Sequence, residues 1–312
     1  MDDVLVIGEA LVDIVSTKTA TGKGHGVEHP GGSPANVALG LARLGRRTSL
    51  LTRIGDDDRG RVILDHLEGS GVRIVEGSVT DAPTSSATAL LDENGIATYH
   101  FALYWSIPED VDVSRARALH TGSIAAFLSP GGDAVLDVVE RAAGRTLVSY
   151  DPNARPQLMG EPAAARERVE RIAASADVVK VSDEDVAWLA PGEDPMDVVR
   201  AWQASGPAVV VLTRGGAGAT GVVAGRTVDV PAPPIQVVDT VGAGDAFMSG
   251  LLDAIAGAEL LSADGVPALR ELSGGALAGM LSHAVRIAAY TCTQAGAQPP
   301  TREQLGAWTP TA

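Results

Sequence analysis

Gly242-Ala243-Gly244-Asp245 is the stretch of this 312-residue chain whose residue types and spacing point most directly to chemistry. Small residues lead into a helical pattern that runs through Leu251, Leu252 and Ile255. Glycines at a helix start let bare backbone approach a ligand. The N–H groups of the first turn have no partner within the helix, and with the helix dipole they form an anion site. Gly242, Ala243 and Gly244 are thereby placed to hold the charge of a transferring phosphoryl group. Asp245, beside them, is placed to take a proton from a hydroxyl as it attacks phosphorus. The same stretch also reads as a plain loop followed by an acidic first turn, which the dipole favours with or without a ligand.

The elements that must position these residues alternate. Val4 to Ile7 is a short apolar run that predicts a buried parallel strand. Pro34 to Leu44 has helical spacing, with Ser33 as expected N-cap and Gly45 as a stop. Thr48 to Ile54 predicts a strand and Asp58 to Gly69 a helix. Further strands are expected at Ala118 to Thr121, Thr146 to Tyr150, Val178 to Val181 and Ala208 to Thr213. Helices are expected at Asp133 to Ala143, Ala163 to Ala174 and Asp183 to Leu189. Strands alternating with helices predict an α/β fold with a parallel sheet covered on both faces. Two segments break this scheme. Ser86 to Leu91 and Ala97 to Phe101 read as a hairpin around Asp92-Glu93-Asn94-Gly95. Val15 to His29 is irregular and rich in Gly, Thr and Lys. Together they suggest a small β lid.

Composition narrows the partners. A net charge of -15 argues against nucleic acid, because a phosphate backbone would be repelled, yet a local nest of amides still binds a small anion. One cysteine, Cys292, rules out an internal disulfide framework and fits a reducing compartment. The start Met1-Asp2-Asp3 is acidic where a secretory signal is basic, and no apolar run reaches about 18 residues, so the expectation is a cytoplasmic protein without a membrane span. Gly216-Ala217-Gly218-Ala219-Thr220-Gly221 matches the dinucleotide fingerprint in letters, but Gly221-Val222-Val223-Ala224-Gly225 follows as a strand where that fingerprint needs a helix. No lysine stands in the context a P-loop requires. Only His25 and His29 have helical ligand spacing, and they lie in a Gly/Pro stretch, so no zinc site is expected.

Asp239-Thr240-Val241-Gly242-Ala243-Gly244-Asp245-Ala246-Phe247 closely resembles the C-terminal signature of the ribokinase-like (PfkB) carbohydrate kinases. Gly31-Gly32-Ser33-Pro34-Ala35-Asn36-Val37-Ala38 resembles their N-terminal signature, in the right order and at the right distance. Gly8-Glu9-Ala10-Leu11-Val12-Asp13, Asp151-Pro152-Asn153-Ala154-Arg155 and Gly296-Ala297-Gln298-Pro299 extend the resemblance over nearly the whole chain. It implies a three-layer α/β/α sandwich with a mostly parallel central sheet, forming a single domain over 1–312 with a β lid from about 15–32 and 84–106.

The resemblance also implies roles. Asp245 becomes the base, and Gly242, Ala243 and Gly244 the cradle. Asp13 and Asn36 become contacts to sugar hydroxyls, since a carboxylate accepts from two hydroxyls and an amide both donates and accepts. Gly31 and Gly32 become a lid hinge, and Arg155 a contact to sugar or phosphate. Read without the family, Asp13 is a strand-end turn residue, Gly31-Gly32 a tight turn, Asn36 a structural first-turn residue and Arg155 a surface arginine. Lys180, at the end of a predicted strand, and Thr213, Gly215 and Gly218 are implied near the ATP phosphates. The helix His283 to Tyr290 would line the adenine through His283 and Ile287. Ser182-Asp183-Glu184-Asp185 departs from the family's Asn-x-x-Glu, leaving Asp185 or Glu184 as the acid linked to Mg²⁺. Asp239 and the backbone near Gly296 resemble a monovalent-cation loop, with Val241 in place of a common Thr, which leaves potassium activation open. The implied partners are ATP and a small sugar, with a homodimer through the lid. Fructose is the implied sugar, and 2-keto-3-deoxygluconate and ribose are alternatives. A non-catalytic sugar-binding homologue is the reading from another class; it would lack the base, and Asp245 is present.

Overall fold

The apolar runs of the sequence become strands and its 3.6-residue patterns become helices. The computed structural model describes residues 2–17, 26–91, 97–108 and 110–310. Its strands are β1 (Asp2–Ile7), β2 (Leu11–Thr17), β3 (Val27–Gly31), β4 (Thr48–Leu51), β5 (Ile54–Gly55), β6 (Arg73–Ile74), β7 (Val79–Thr80), β8 (Ser86–Leu91), β9 (Ala97–Ala102), β10 (Ala116–Gly122), β11 (Leu147–Asp151), β12 (Val178–Ser182), β13 (Val209–Thr213), β14 (Ala219–Val223) and β15 (Arg226–Val230). Its helices are α1 (Ser33–Arg43), α2 (Asp58–Glu68), α3 (Gly131–Ala142), α4 (Pro156–Met159), α5 (Pro162–Ala174), α6 (Asp183–Leu189), α7 (Pro195–Ser205), α8 (Ala243–Gly257), α9 (Val266–Arg270), α10 (Gly274–Cys292) and α11 (Arg302–Ala307).

Nine strands form the main sheet in the order β15-β14-β13-β12-β11-β10-β1-β4-β6. Pairing is parallel from β6 through β13 and antiparallel for the last two strands. Alternate side chains of a strand face opposite ways. Val4 and Val6 of β1 accordingly join one apolar core, which includes α1, α8 and α10, while Leu5 and Ile7 join the other, which includes α3, α5 and α7. This is the expected three-layer α/β/α sandwich with a mostly parallel central sheet. A separate four-stranded sheet, β3-β2-β8-β9, stands apart from it.

Several local expectations need correction. The smaller sheet begins at Leu11 rather than at Val15, so Asp13 lies inside a strand and not in a turn at its end. Part of the segment read as irregular forms β3, while His25 and the Asp92-Glu93-Asn94-Gly95 turn lie outside the described residues. The single strand expected from Thr48 to Ile54 is broken into β4 and β5. Gly32, not Ser33, occupies the N-cap of α1, because Ser33 already has helical geometry and its hydroxyl is engaged elsewhere. The glycines after β13 form a short turn into antiparallel β14, so the dinucleotide fingerprint has no helix to open. No helix among the described residues is long and apolar enough to cross a membrane.

Candidate active site

The tip of α8 is built by a left-handed residue. Gly242 is the N-cap with φ 74°, and a Cβ there would lie 2.5 Å from the Cβ of Ala297, so both backbone angle and space call for glycine. The approach to this tip is clamped by Asp239, which accepts from the amides of Val241 (3.0 Å) and Gly296 (2.9 Å). These amide bonds hold its carboxyl below the usual carboxylate range. Asp239 thus spends both oxygens on the loop.

Asp245 is the third residue of α8 and is buried. Its Oδ1 accepts from Ser33 Oγ at 2.6 Å and its Oδ2 from Asn36 Nδ2 at 2.8 Å. Both donors come from the first turn of α1, which packs against α8. Two neutral donors orient the carboxylate without neutralising it. That suits a group that must accept a proton later.

Asp245 opens onto a cleft of about 450 Å³ that also holds Gly242, Asn36, Asp13, Arg155 and Glu9, with Tyr99 and Phe101 of β9 on its wall. The Tyr99 and Phe101 rings stack at 6.2 Å. The structure therefore brings Asp245, Gly242, Asn36, Asp13, Gly32 and Arg155 to one cavity between the main sheet and the smaller one. A Cβ on Gly31 would fall 2.1 Å from Asp13 Oδ2, so the bare backbone of β3 makes room for that carboxylate. Burial raises the Asp13 carboxyl above its ordinary range, with Arg155 and His29 pulling it down and Asp245 adding to the rise. Gly32, at φ 105°, lies against the Glu9 carbonyl, where a Cβ would approach to 2.5 Å. Arg155 is exposed, lines the cleft, and donates to Asn153 Oδ1 (2.8 Å) and to the carbonyls of Asn153 and Ala154.

Other expected residues sit elsewhere. Lys180 is the third residue of β12, not its last, and its ammonium faces Asp151 Oδ2 at 2.7 Å inside the protein instead of an open nucleotide groove. Ile287 is wholly buried with Leu44, Ala246 and Leu305, and offers an adenine no surface. His283 binds Asp253 at 2.8 Å, on a carboxylate that Arg46 and Arg302 also share, and is absent from the cleft lining. Gly215 is exposed in the turn after β13, while Thr213 donates to the Val181 carbonyl and Gly218, at φ 95°, abuts the Val230 carbonyl. Asp185 caps α6: its oxygens accept from the amides of Ala154 (2.8 Å) and Ser182 (3.3 Å). Glu184 is exposed. Among the described residues no three His, Cys, Asp or Glu side chains gather as a metal cage. Asp185, spent on two amides, and exposed Glu184 do not make a protein-built magnesium site.

Two residues of the cleft, Ser33 and Glu9, and one buried beside it, Asp151, carry no site role in the sequence reading. Ser33 read as a cap. Glu9 is a buried carboxyl on the cleft wall that accepts from Ala125 N–H at 3.1 Å, and burial pushes it up to about 7. Its neighbour Ser123 holds φ 54°, uncommon for a residue with a side chain. Asp151 is fully buried, and burial pushes it to about 7 although Lys180 opposes the rise.

The profile of the pfkB family carbohydrate kinases matches residues 1–304, and the chain belongs to that family. The fructokinase of Rhizobium leguminosarum bv. trifolii is 34% identical over 275 residues, covering 86% of this chain and 84% of its own. The Klebsiella pneumoniae fructokinase is 36% identical over 262 residues, covering 80% and 83%. An uncharacterized sugar kinase of Pyrococcus horikoshii, solved in complex with ATP, superposes with a TM-score of 0.80 at 27% identity over 98% of both chains. The fold is ribokinase-like, and the chain is a sugar kinase of this family.

Proposed function

We propose that this protein transfers the γ-phosphoryl group of ATP to a hydroxyl of fructose, with Asp245 as the base. The observation that carries the reading is the Asp245 carboxylate, held by Ser33 and Asn36 beside a glycine-built helix tip and open to the cleft that contains Asp13. The sugar lies in that cleft, where Asp13 accepts from its hydroxyls and Tyr99 and Phe101 cover its apolar edges. A sugar hydroxyl within reach of Asp245 loses its proton to the carboxylate as it attacks phosphorus. The amides of Gly242 and Gly244 face the charge that builds on the phosphoryl oxygens, while that of Ala243 donates to the Thr240 carbonyl at 3.2 Å. Magnesium, when bound with ATP, neutralises part of the phosphate charge. The smaller sheet acts as a lid that swings at Gly31-Gly32 and excludes water, which suppresses hydrolysis of ATP. Likeness to two fructokinases supports fructose as the acceptor.

The test is an ADP-release assay with purified protein over fructose, 2-keto-3-deoxygluconate and ribose, each with and without potassium. Fructose is expected to give the highest kcat/KM. Inert fructose beside rapid turnover of 2-keto-3-deoxygluconate would replace the substrate and leave the kinase standing.

A further inference from the structure

Two of the segments that join the sheet β3-β2-β8-β9 to the rest of the chain are fastened to one buried residue, Ala125. We infer that Glu9 and Trp105 are positioning residues for phosphoryl transfer: by holding Ala125 from both sides, they fix where Asp13 of β2 stands relative to Asp245 of α8. The inference rests on the sugar-binding and base roles proposed for Asp13 and Asp245.

The placement begins with a backbone that cannot satisfy itself. Ser123–Ala126 forms one short helical turn after β10. The first N–H groups of a helical turn lack a partner within it. Ala125 carries one of them, and it donates to Glu9 Oε2 at 3.1 Å. Further on, the amides of Phe127 and Leu128 both turn back to the Ile124 carbonyl, and the Ala125 carbonyl accepts from Trp105 Nε1 at 2.8 Å. Arg168 of α5 donates to the next carbonyl, that of Ala126, at 2.6 Å and ties the turn to the helical layer. Ser123 opens the turn at φ 54°, a left-handed angle that a residue with a side chain keeps only where its surroundings fix it.

The two partners flank the smaller sheet. Glu9 lies between β1 and β2, and Trp105 follows the end of β9. Tyr104, next to Trp105, is bonded twice by Ser85: its N–H donates to Ser85 Oγ at 2.9 Å, and that hydroxyl donates to the Tyr104 carbonyl at 3.2 Å. The Ser85 carbonyl in turn accepts from the amide of Val12 at 3.0 Å, beside Asp13. The end of β3 reaches the same place, because Gly32 lies against the Glu9 carbonyl, where a Cβ would come within 2.5 Å. The joints of the smaller sheet are thus linked to a turn that belongs to the main body. Ser123 and Ile124 of that turn line the cleft that holds Asp13 and Asp245.

The need to satisfy buried polar groups explains why Ala125 has partners, but not which ones. Main-chain groups or water serve that need equally well. Here both partners come from the joints of one sheet, and that sheet carries a carboxylate that must be aligned with a base on another layer. A misplacement of about 1 Å at such a site costs on the order of 10²-fold. A loosened joint displaces Asp13 and leaves the tip of α8 in place, so the loss falls on the sugar and spares ATP.

The test measures KM for sugar and for ATP in the full chain carrying Glu9→Ala, Glu9→Gln or Trp105→Phe, with whichever sugar of the panel the wild type turns over fastest, fructose by expectation. Trp105 is absent from the cleft lining, so an effect of Trp105→Phe does not arise from a lost contact with sugar. Phenylalanine keeps a ring against Gly131, where a Cβ would come within 2.4 Å of the indole. Glu9→Ala and Trp105→Phe are each expected to raise the sugar KM about fivefold or more, the size of one lost buried hydrogen bond, while KM for ATP stays close to wild type. Glu9→Gln keeps an acceptor for the Ala125 amide and is expected to return the sugar KM to near the wild-type value. Lower melting temperatures with an unchanged sugar KM would show that the two bonds serve folding only, and would overturn the inference. A sugar KM in Glu9→Gln as high as in Glu9→Ala would overturn it too, since the bond to Ala125 would then not be what matters. Should Glu9→Ala fail to fold, Trp105→Phe and Glu9→Gln carry the test. Full activity of Asp245→Asn would remove the base reading, whatever the sugar KM of these variants, so the two failures are separable.

Discussion

The first turn of α8 is held differently on its two sides. Facing the cleft, Asp245 is gripped by two uncharged donors, Ser33 and Asn36, and stays within reach of a ligand. Behind the turn, Lys180 and Asp151 form a charged pair with no opening to the cleft. The difference separates two tasks. Neutral donors on the open side aim the carboxylate and let its charge act on a substrate. The ion pair on the closed side packs beneath the turn at Gly244 and is shielded from water. The two sides of one helix tip are thus held by different residues.

The sharpest way to break this division is to move the tip itself. Gly242→Val places a branched side chain at φ 74° and against Ala297, so the tip must shift. A displacement of about 1 Å at a reacting group costs on the order of 10²-fold, and steady-state kcat is expected to drop by at least that much. Unchanged kcat would show that the tip plays no part.

Next comes the open side alone. Ser33→Ala removes one donor to the charged carboxylate and leaves Asn36. Hydrogen bonds to charged groups contribute about 1.5–3 kcal/mol, so kcat/KM should fall about tenfold to a hundredfold. Asn36→Ala is expected to act similarly, and the double variant should fall short of the sum because both groups serve one carboxylate. Either loss should also raise KM for sugar, since Ser33 and Asn36 both line the cleft.

The smallest expected effect concerns the floor of the cleft. Glu9 is raised from 4.5 to about 7 by burial, so the folded protein holds a proton that the unfolded chain releases in that interval. Its contribution to stability is complete below about 4.5 and is lost as pH rises through about 7. Glu9→Gln lacks this dependence. Its melting temperature relative to wild type should therefore improve by several degrees between about pH 5 and about pH 8. A constant difference would place Glu9 in a more solvated setting.

How much of this was legible follows from sequence distance. The nest and Asp245 are neighbours in the chain, so their spacing alone suggested an anion site with a carboxylate beside it. The alternation of apolar runs gave the sandwich, because buried strands and half-buried helices differ in period. Ser33 departs from its expected cap role because a serine at a helix start can satisfy either the backbone or a distant acid, and only the packing of α1 on α8 decides between them. The Lys180–Asp151 pair was invisible because 29 positions separate the two residues and the register of adjacent strands joins them. His283 and Ile287 fall on a helix whose inner face is set by contacts with α8 and α11, and periodicity does not say which neighbour a buried face meets.

Steady-state phosphorylation of fructose by Asp245→Asn, with ATP binding measured in parallel, tests the central claim most directly. The substitution keeps the shape of the side chain and one accepting oxygen, turns the other position into a donor, and removes its capacity to accept the proton. The account predicts that kcat falls by a factor on the order of 10² or more while ATP affinity stays close to wild type. Sugar phosphorylation at the wild-type rate would contradict it.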